Sequence, residues 1–178
     1  INDRVLAGLL AFLTHARARF GDVHVCDDGP LLDVDSSGRG FIELRVHETK
    51  VTNRPNRRRK LLPLVALAIG VTGKPWAAEW LKLRKEVGLC AKGGPLVPAI
   101  SASGVFTKGR LRSSEGIIVL CETLQRMQIV LPEEHRLGTH SCKATLLSWM
   151  AKAEAPLAIR KMLGGHSSST DETALLYS

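Results

Sequence analysis

His140 and Lys143 lie three residues apart in HSCKATLLSWMAKA, a stretch whose apolar spacing is helical. At that spacing both side chains share one helix face. With Thr139 as the cap, His140 falls in the first turn, where unpaired backbone N–H groups and the helix dipole favour an anion. A histidine and a cation there suit a phosphate or an oxyanion; the plain alternative is a surface histidine beside a solvated lysine. Farther on, a helix closes at Leu163, exits through Gly164-Gly165 and leaves His166 on a constrained turn, where a histidine is ordinarily a loop residue. The chain has one tyrosine, Tyr177, eleven residues after His166. A phenol with a pKa of about 10 attacks poorly at neutral pH unless neighbours take its proton or stabilise its anion, so packing is the usual role of a lone tyrosine.

The 178 residues carry a formal net charge of +8, unevenly spread. Residues 1–49 hold five basic and eight acidic side chains. Residues 50–64 hold six basic ones (Lys50, Arg54, Arg57, Arg58, Arg59 and Lys60) and no acid. Such a block suits a polyanion, although a charge run is equally often a solvated loop. The four cysteines (Cys26, Cys90, Cys121 and Cys142) form no CxxC pair. Their spacing argues against a zinc site or a disulfide framework and for a reducing, intracellular setting with buried structural thiols. No motif singles out a cysteine nucleophile. No apolar run approaches the roughly 18 residues of a membrane span. The apolar start, RVLAGLLAFL, lacks the basic flank and cleavage site of a signal peptide.

These residues need elements to hold them. Residues 2–19 read as an amphipathic helix capped by Asn2 or Asp3, with Val5, Leu6, Leu9, Leu10, Leu13 and Ala16 at helical spacing. A short strand falls near Leu31–Val34, then a turn at DSSGRG. In Phe41–Thr49, Ile42, Leu44 and Val46 alternate with Glu43, Arg45 and His47, the pattern of a half-buried strand. TNRPNRRR reads as the turn of a hairpin that returns through LLPLV. The rest reads as helical: one helix opened by Pro75 and ended by Gly88, one capped by Ser113 or Ser114 and running to about Met127, and one capped by Thr139. A fourth runs from about Pro156 to Leu163, and a short last one is capped by Ser169 or Thr170. Gly88–Gly109 reads as the main internal loop. The fold class is therefore mostly α with a small antiparallel sheet, in one domain spanning residues 1–178, able to bury a core built from Leu, Val, Ile and Ala.

Taken together, His-x-x-Lys, then Leu-Gly-Gly-His, then a tyrosine about ten residues on, after a basic hairpin, resemble the catalytic domain of the tyrosine recombinase (phage integrase) family. ARARFGDV resembles the family's first arginine box, with Arg19 followed by Gly21 and Asp22; Arg17 is the alternative. The hairpin resembles the segment that carries the family's catalytic lysine, which falls on Lys50. The resemblance covers Arg19 to Tyr177.

It implies a site-specific DNA recombinase or integrase of a mobile element, working through a 3′-phosphotyrosyl intermediate. Tyr177 attacks the scissile phosphate, Arg19 and Lys143 hold the non-bridging oxygens, and Lys50 protonates the departing 5′-oxygen. His140 assists proton transfer at the tyrosine, and His166 donates a hydrogen bond to the phosphate. The resemblance implies neither metal nor other cofactor. It implies double-stranded DNA as partner, contacted by Arg54, Arg57, Arg58, Arg59 and Lys60, and no membrane. It also implies a tetramer of the full-length protein on paired sites, in the cytoplasm or nucleus, wherever the target DNA lies.

The sequence departs from the family pattern at three points. Lys143 stands where the family usually has arginine, and an ammonium lacks the planar fork that grips two phosphate oxygens. LGGH carries an extra glycine. The family's N-terminal DNA-clamping domain and C-terminal helix are absent from this sequence, so the expectation is a piece of a longer protein. Two neighbouring readings share these features: a DNA-binding descendant with impaired chemistry, and a type IB topoisomerase-like enzyme. A helical protein–protein module unrelated to DNA is a third.

Overall fold

A computed structural model describes residues 2–23, 29–46, 63–89, 94–130 and 137–164. Its element order is α1 (Asn2–His15), a 3-10 turn (Phe20–Val23), β1 (Leu31–Val34), β2 (Gly40–Leu44), β3 (Leu64–Leu67) and α2 (Trp76–Glu86). There follow β4 (Pro98–Ile100), β5 (Phe106–Arg110), α3 (Ser113–Arg126), α4 (His140–Lys152) and α5 (Leu157–Gly164). The mostly helical class with a small antiparallel sheet is the class observed.

The alternation read in the second strand holds over residues 41–46, and His47 to Thr49 lie outside the described residues. Ile42, Leu44 and Val46 are buried while Phe41 and Arg45 are exposed. β1, β2 and β3 form one antiparallel sheet in that order, with Leu32 opposite Ile42 and Ile42 opposite Ala66. The β1–β2 turn is set by Asp35, whose Oδ1 accepts N–H bonds from Ser37 (2.8 Å) and Arg39 (3.0 Å). These bonds, with that of the Ser37 hydroxyl, hold the Asp35 carboxyl below the usual carboxylate range.

α1 is the central element. Of the expected stripe, Val5, Leu6, Leu9, Leu13 and Ala16 are buried and Leu10 is half-buried, while Phe12, outside that spacing, is buried with them. Trp80 of α2 stacks on Phe12 with ring centroids 5.8 Å apart and donates its Nε1–H to the Val5 carbonyl at 2.9 Å. Gly8 makes that approach possible, because a Cβ there would overlap the Trp80 ring. Gly8→Ala is therefore expected to lower unfolding free energy by about 1–3 kcal/mol, the range for overpacking a core, as read by urea denaturation. α2 is tied to the sheet by Trp76 Nε1–H donating to the Leu67 carbonyl (3.0 Å) and by the Ala77 N–H donating to Ala68 (3.3 Å).

The structure corrects several expectations. Gly88–Gly109 is not simply a loop: β4 pairs antiparallel with β5, which runs to Arg110, and the hairpin is closed by the Ser101 N–H donating to Val105 at 2.9 Å. With four of five β5 residues exposed, no alternation of burial advertises this hairpin. α3 is preceded by Arg112 rather than capped by Ser113 or Ser114, and the Glu115 carboxylate accepts the Arg112 N–H at 2.5 Å. Thr139 precedes α4 in helical geometry and makes no capping bond; the Ser141 hydroxyl accepts the Gly138 N–H at 3.1 Å instead. Cys142 is buried as expected, but Cys121 is exposed on α3. Cys26, Cys90 and the helix expected after Ser169 lie outside the described residues. Among the described residues, no helix is long and apolar enough to cross a membrane.

Candidate active site

The first correction that matters for chemistry is where α1 ends. The helix stops at His15, not at residue 19, because its last turn closes with two bonds. The Arg17 N–H donates to Thr14 (3.2 Å) and the Ala18 N–H donates to Leu13 (3.0 Å). This termination requires a left-handed residue, and Arg17 takes that position with φ 54°. Arg19 is thereby thrown off the helix onto the start of the 3-10 turn. Asp22 fixes it there: its Oδ2 accepts the Arg19 N–H at 3.0 Å, while the Asp22 N–H donates to the Arg19 carbonyl at 2.9 Å. Phe20, Asp22 and Val23 are buried, anchoring the turn. α3 braces it from outside through Gly116, where a Cβ would come within 2.6 Å of the Phe20 ring.

α4 meets this loop from the other side. Cys142 and Leu147 are its buried residues, and the Cys142 thiol lies within hydrogen-bonding reach of the Thr14 hydroxyl in the last turn of α1. His15 holds the same junction, stacked on Trp76 (centroids 5.7 Å apart) and tilted against Trp149 of α4 (6.3 Å). Burial there pushes the His15 imidazole below its ordinary pKa. Lys143 follows Cys142 directly and is half-buried beside the arginine loop. Burial, together with the positive charges of Arg19 and Arg17, lowers its ammonium to a pKa of about 8, against the opposing pull of Asp22.

Arg19 and Lys143, which the resemblance assigns to one phosphate, lie near enough for the charge of Arg19 to weigh on the Lys143 ammonium. His140 is exposed at the first position of α4, one turn before Lys143. Lys50, His166 and Tyr177 lie outside the described residues, as do Arg54, Arg57, Arg58, Arg59 and Lys60. The charge of Arg17, the alternative to Arg19, weighs on Lys143 as well, while its Nε–H donates to the Ala16 carbonyl at 3.4 Å. What the sequence reading missed is that Asp22 does structural work for Arg19. The available signal was an aspartate three residues after the arginine, at a spacing where its carboxylate reaches back to a free backbone N–H.

The depressed ammonium has a testable consequence. In the free protein Lys143 is charged at neutral pH and loses its proton as the pH passes about 8. A phosphate held partly by that charge is expected to bind more weakly from about pH 7 to about pH 9. Lys143→Arg is expected to flatten that limb, since a guanidinium stays charged throughout. Phosphodiester affinity measured across pH for both proteins checks this.

In fold, the chain is similar to the XerH site-specific recombinase bound to difH substrate in a pre-cleavage complex. The TM-score is 0.59 at 12% identity, covering 99% of this chain and 42% of that one. It is also similar to XerH bound to palindromic difH substrate in a post-cleavage complex, with a TM-score of 0.58, 12% identity, and coverage of 99% and 41%. The chain therefore spans less than half the length of these proteins. No family model matches it, and no curated protein matches it in sequence. The likeness is one of fold: a tyrosine recombinase-like architecture.

Proposed function

We propose that this chain is the catalytic domain of a site-specific DNA recombinase or integrase, cutting and rejoining DNA strands through a phosphotyrosyl bond on Tyr177. The observation that carries the reading is the meeting of Arg19, held by Asp22, with Lys143 at the α1–α4 junction of a recombinase-like fold.

The chemistry follows from what a phosphodiester requires. The Tyr177 oxygen forms a bond to phosphorus as the bond to the 5′-oxygen breaks. The phenolic proton leaves with help from His140, and Lys50 delivers a proton to the departing 5′-oxygen. Arg19 and Lys143 meet the charge that develops on the non-bridging oxygens, and His166 donates a hydrogen bond there. Fixed cations aimed at developing charge are the largest contribution a protein makes to such a step. Because the phosphotyrosyl ester keeps the energy of the phosphodiester, attack by a 5′-hydroxyl of another strand reverses the bonding without ATP. Arg54, Arg57, Arg58, Arg59 and Lys60 would add salt-dependent contacts to the duplex backbone. A tetramer on paired sites belongs to this reading for the whole protein.

The test is a nicked duplex whose cleavage releases a short strand and traps the covalent product. Incubated with this protein, it is expected to give a species that survives denaturing electrophoresis, including in the presence of a chelator. Duplex binding without that species would favour the chemically impaired descendant. Relaxation of supercoiled plasmid with little sequence preference would favour the topoisomerase-like enzyme.

A further inference from the structure

We propose that His15 is a positioning residue of the phosphate site: its ring bridges the sheet to α4 and so sets where Lys143 stands. The inference rests on the recombinase reading and goes beyond it, since that reading gives no role to the three rings that form the bridge.

Trp76, the first residue of α2, is fixed to the sheet, because its Nε1–H donates to the Leu67 carbonyl of β3 at 3.0 Å. His15, the last residue of α1, stacks on that ring with centroids 5.7 Å apart and planes 17° apart. It also meets Trp149 of α4, tilted by 51° with centroids 6.3 Å apart. The chain after β3 closes on the same pair: a Cβ on Gly70 would stand 3.4 Å from the His15 Nε2 and 3.3 Å from the Trp76 ring. α4 thus takes its distance from the sheet through two ring contacts. A second contact fixes its rotation. Cys142 lies seven residues before Trp149, two turns away on the same helix face, and its thiol meets the Thr14 hydroxyl. Thr14 and His15 are neighbours, so the end of α1 touches α4 at two points, and Lys143 directly follows the first.

β2 and β3 flank in sequence the stretch that holds Lys50, and the proposed step asks Lys50 and Lys143 to act on one phosphate. A misplacement of about 1 Å between groups that must act together can cost about a hundredfold in rate. Single-turnover cleavage of the nicked duplex at saturating protein, set beside duplex affinity, reads the effect. His15→Ala is expected to slow the bound-state rate by at least about tenfold, with affinity within about twofold. Trp149 is 37% exposed and can be truncated without emptying the core, so Trp149→Ala tests the same bridge should His15→Ala fold poorly. The double variant is expected to be no slower than the slower single one, because both remove one contact. Losses that multiply would mean that the two residues act separately, and would overturn the bridge. His15→Phe keeps a flat ring and is expected to restore the rate, whereas His15→Leu, which only fills space, is not.

The titration of Lys143, followed by NMR of labelled lysine, needs no cleavage and so separates this proposal from the one beneath it. With the bridge cut, α4 is free to lift and the burial of Lys143 relaxes. Its ammonium is then expected to titrate above its value of about 8 in His15→Ala and in Trp149→Ala, but not in His15→Phe. That rise, in a protein that cleaves no DNA, supports the bridge and sinks only the recombinase reading. A titration and a cleavage rate unmoved in both truncations overturn the bridge and leave the recombinase reading standing.

Discussion

Tyr177→Phe is expected to abolish the covalent DNA adduct while leaving duplex affinity unchanged to within about 0.5 kcal/mol. The substitution removes one oxygen atom and keeps the ring, so whatever the tyrosine packs against is retained. No other phenol exists in the chain to take over, because Tyr177 is its one tyrosine. In the proposed mechanism the phenolic oxygen is the atom that becomes bonded to phosphorus, so its loss removes the step and does not merely slow it. A denaturing-gel assay on the nicked duplex reads the adduct, and a native titration on the same duplex reads the affinity. An adduct that persists in the variant would mean that another nucleophile does the work.

The second large effect is expected from Arg19→Ala. Deleting one positioned donor to a developing oxyanion typically costs about 10²–10³ in rate, and Arg19 is a charged one. Its backbone is fixed by Asp22 at 3.0 Å, and the turn beneath it is anchored by buried Phe20 and Val23 and braced by Gly116, so truncating the side chain leaves the scaffold standing. Binding should therefore fall far less than rate. A loss confined to affinity, with the bound-state cleavage rate unchanged, would make Arg19 an anchoring residue rather than a catalytic one. Single-turnover rates at saturating protein, set beside equilibrium binding, divide the two. Lys143 should respond as well: with the neighbouring positive charge gone, its ammonium loses less of its proton affinity and its titration moves upward from about 8.

Why some of this was legible in the sequence and some was not has a physical explanation in each case. The alternation of Ile42, Leu44 and Val46 with polar residues survives in the structure because one face of β2 is buried and a strand has no other way to satisfy that pattern. The apolar stripe of α1 was legible for the same reason, since it packs against α2, α4 and the sheet. Its end was not. The expectation of a helix to residue 19 followed the apolar spacing, and the chain instead puts Arg17 into the left-handed exit that glycine usually takes. The hairpin of β4 and β5 was missed because PAI and FTKGR carry no burial period, and such short strands are decided by cross-strand bonding that a linear reading does not see. In the candidate site, the structure has the charge of Arg19 weigh on Lys143, and these two were legible through the family resemblance. The role of Asp22 was not, because it depends on where the Arg19 N–H points once α1 has ended.

The central claim, that this chain breaks DNA by forming a bond between phosphorus and Tyr177, is tested most directly by trapping the product on the nicked duplex and digesting both protein and DNA. The masses of the peptides are then read. The account predicts a nucleotide remnant on the peptide that contains Tyr177, and on no other. Recovery of that peptide unmodified, from protein that had bound the duplex to saturation, would contradict it, as would a remnant on a serine or cysteine peptide.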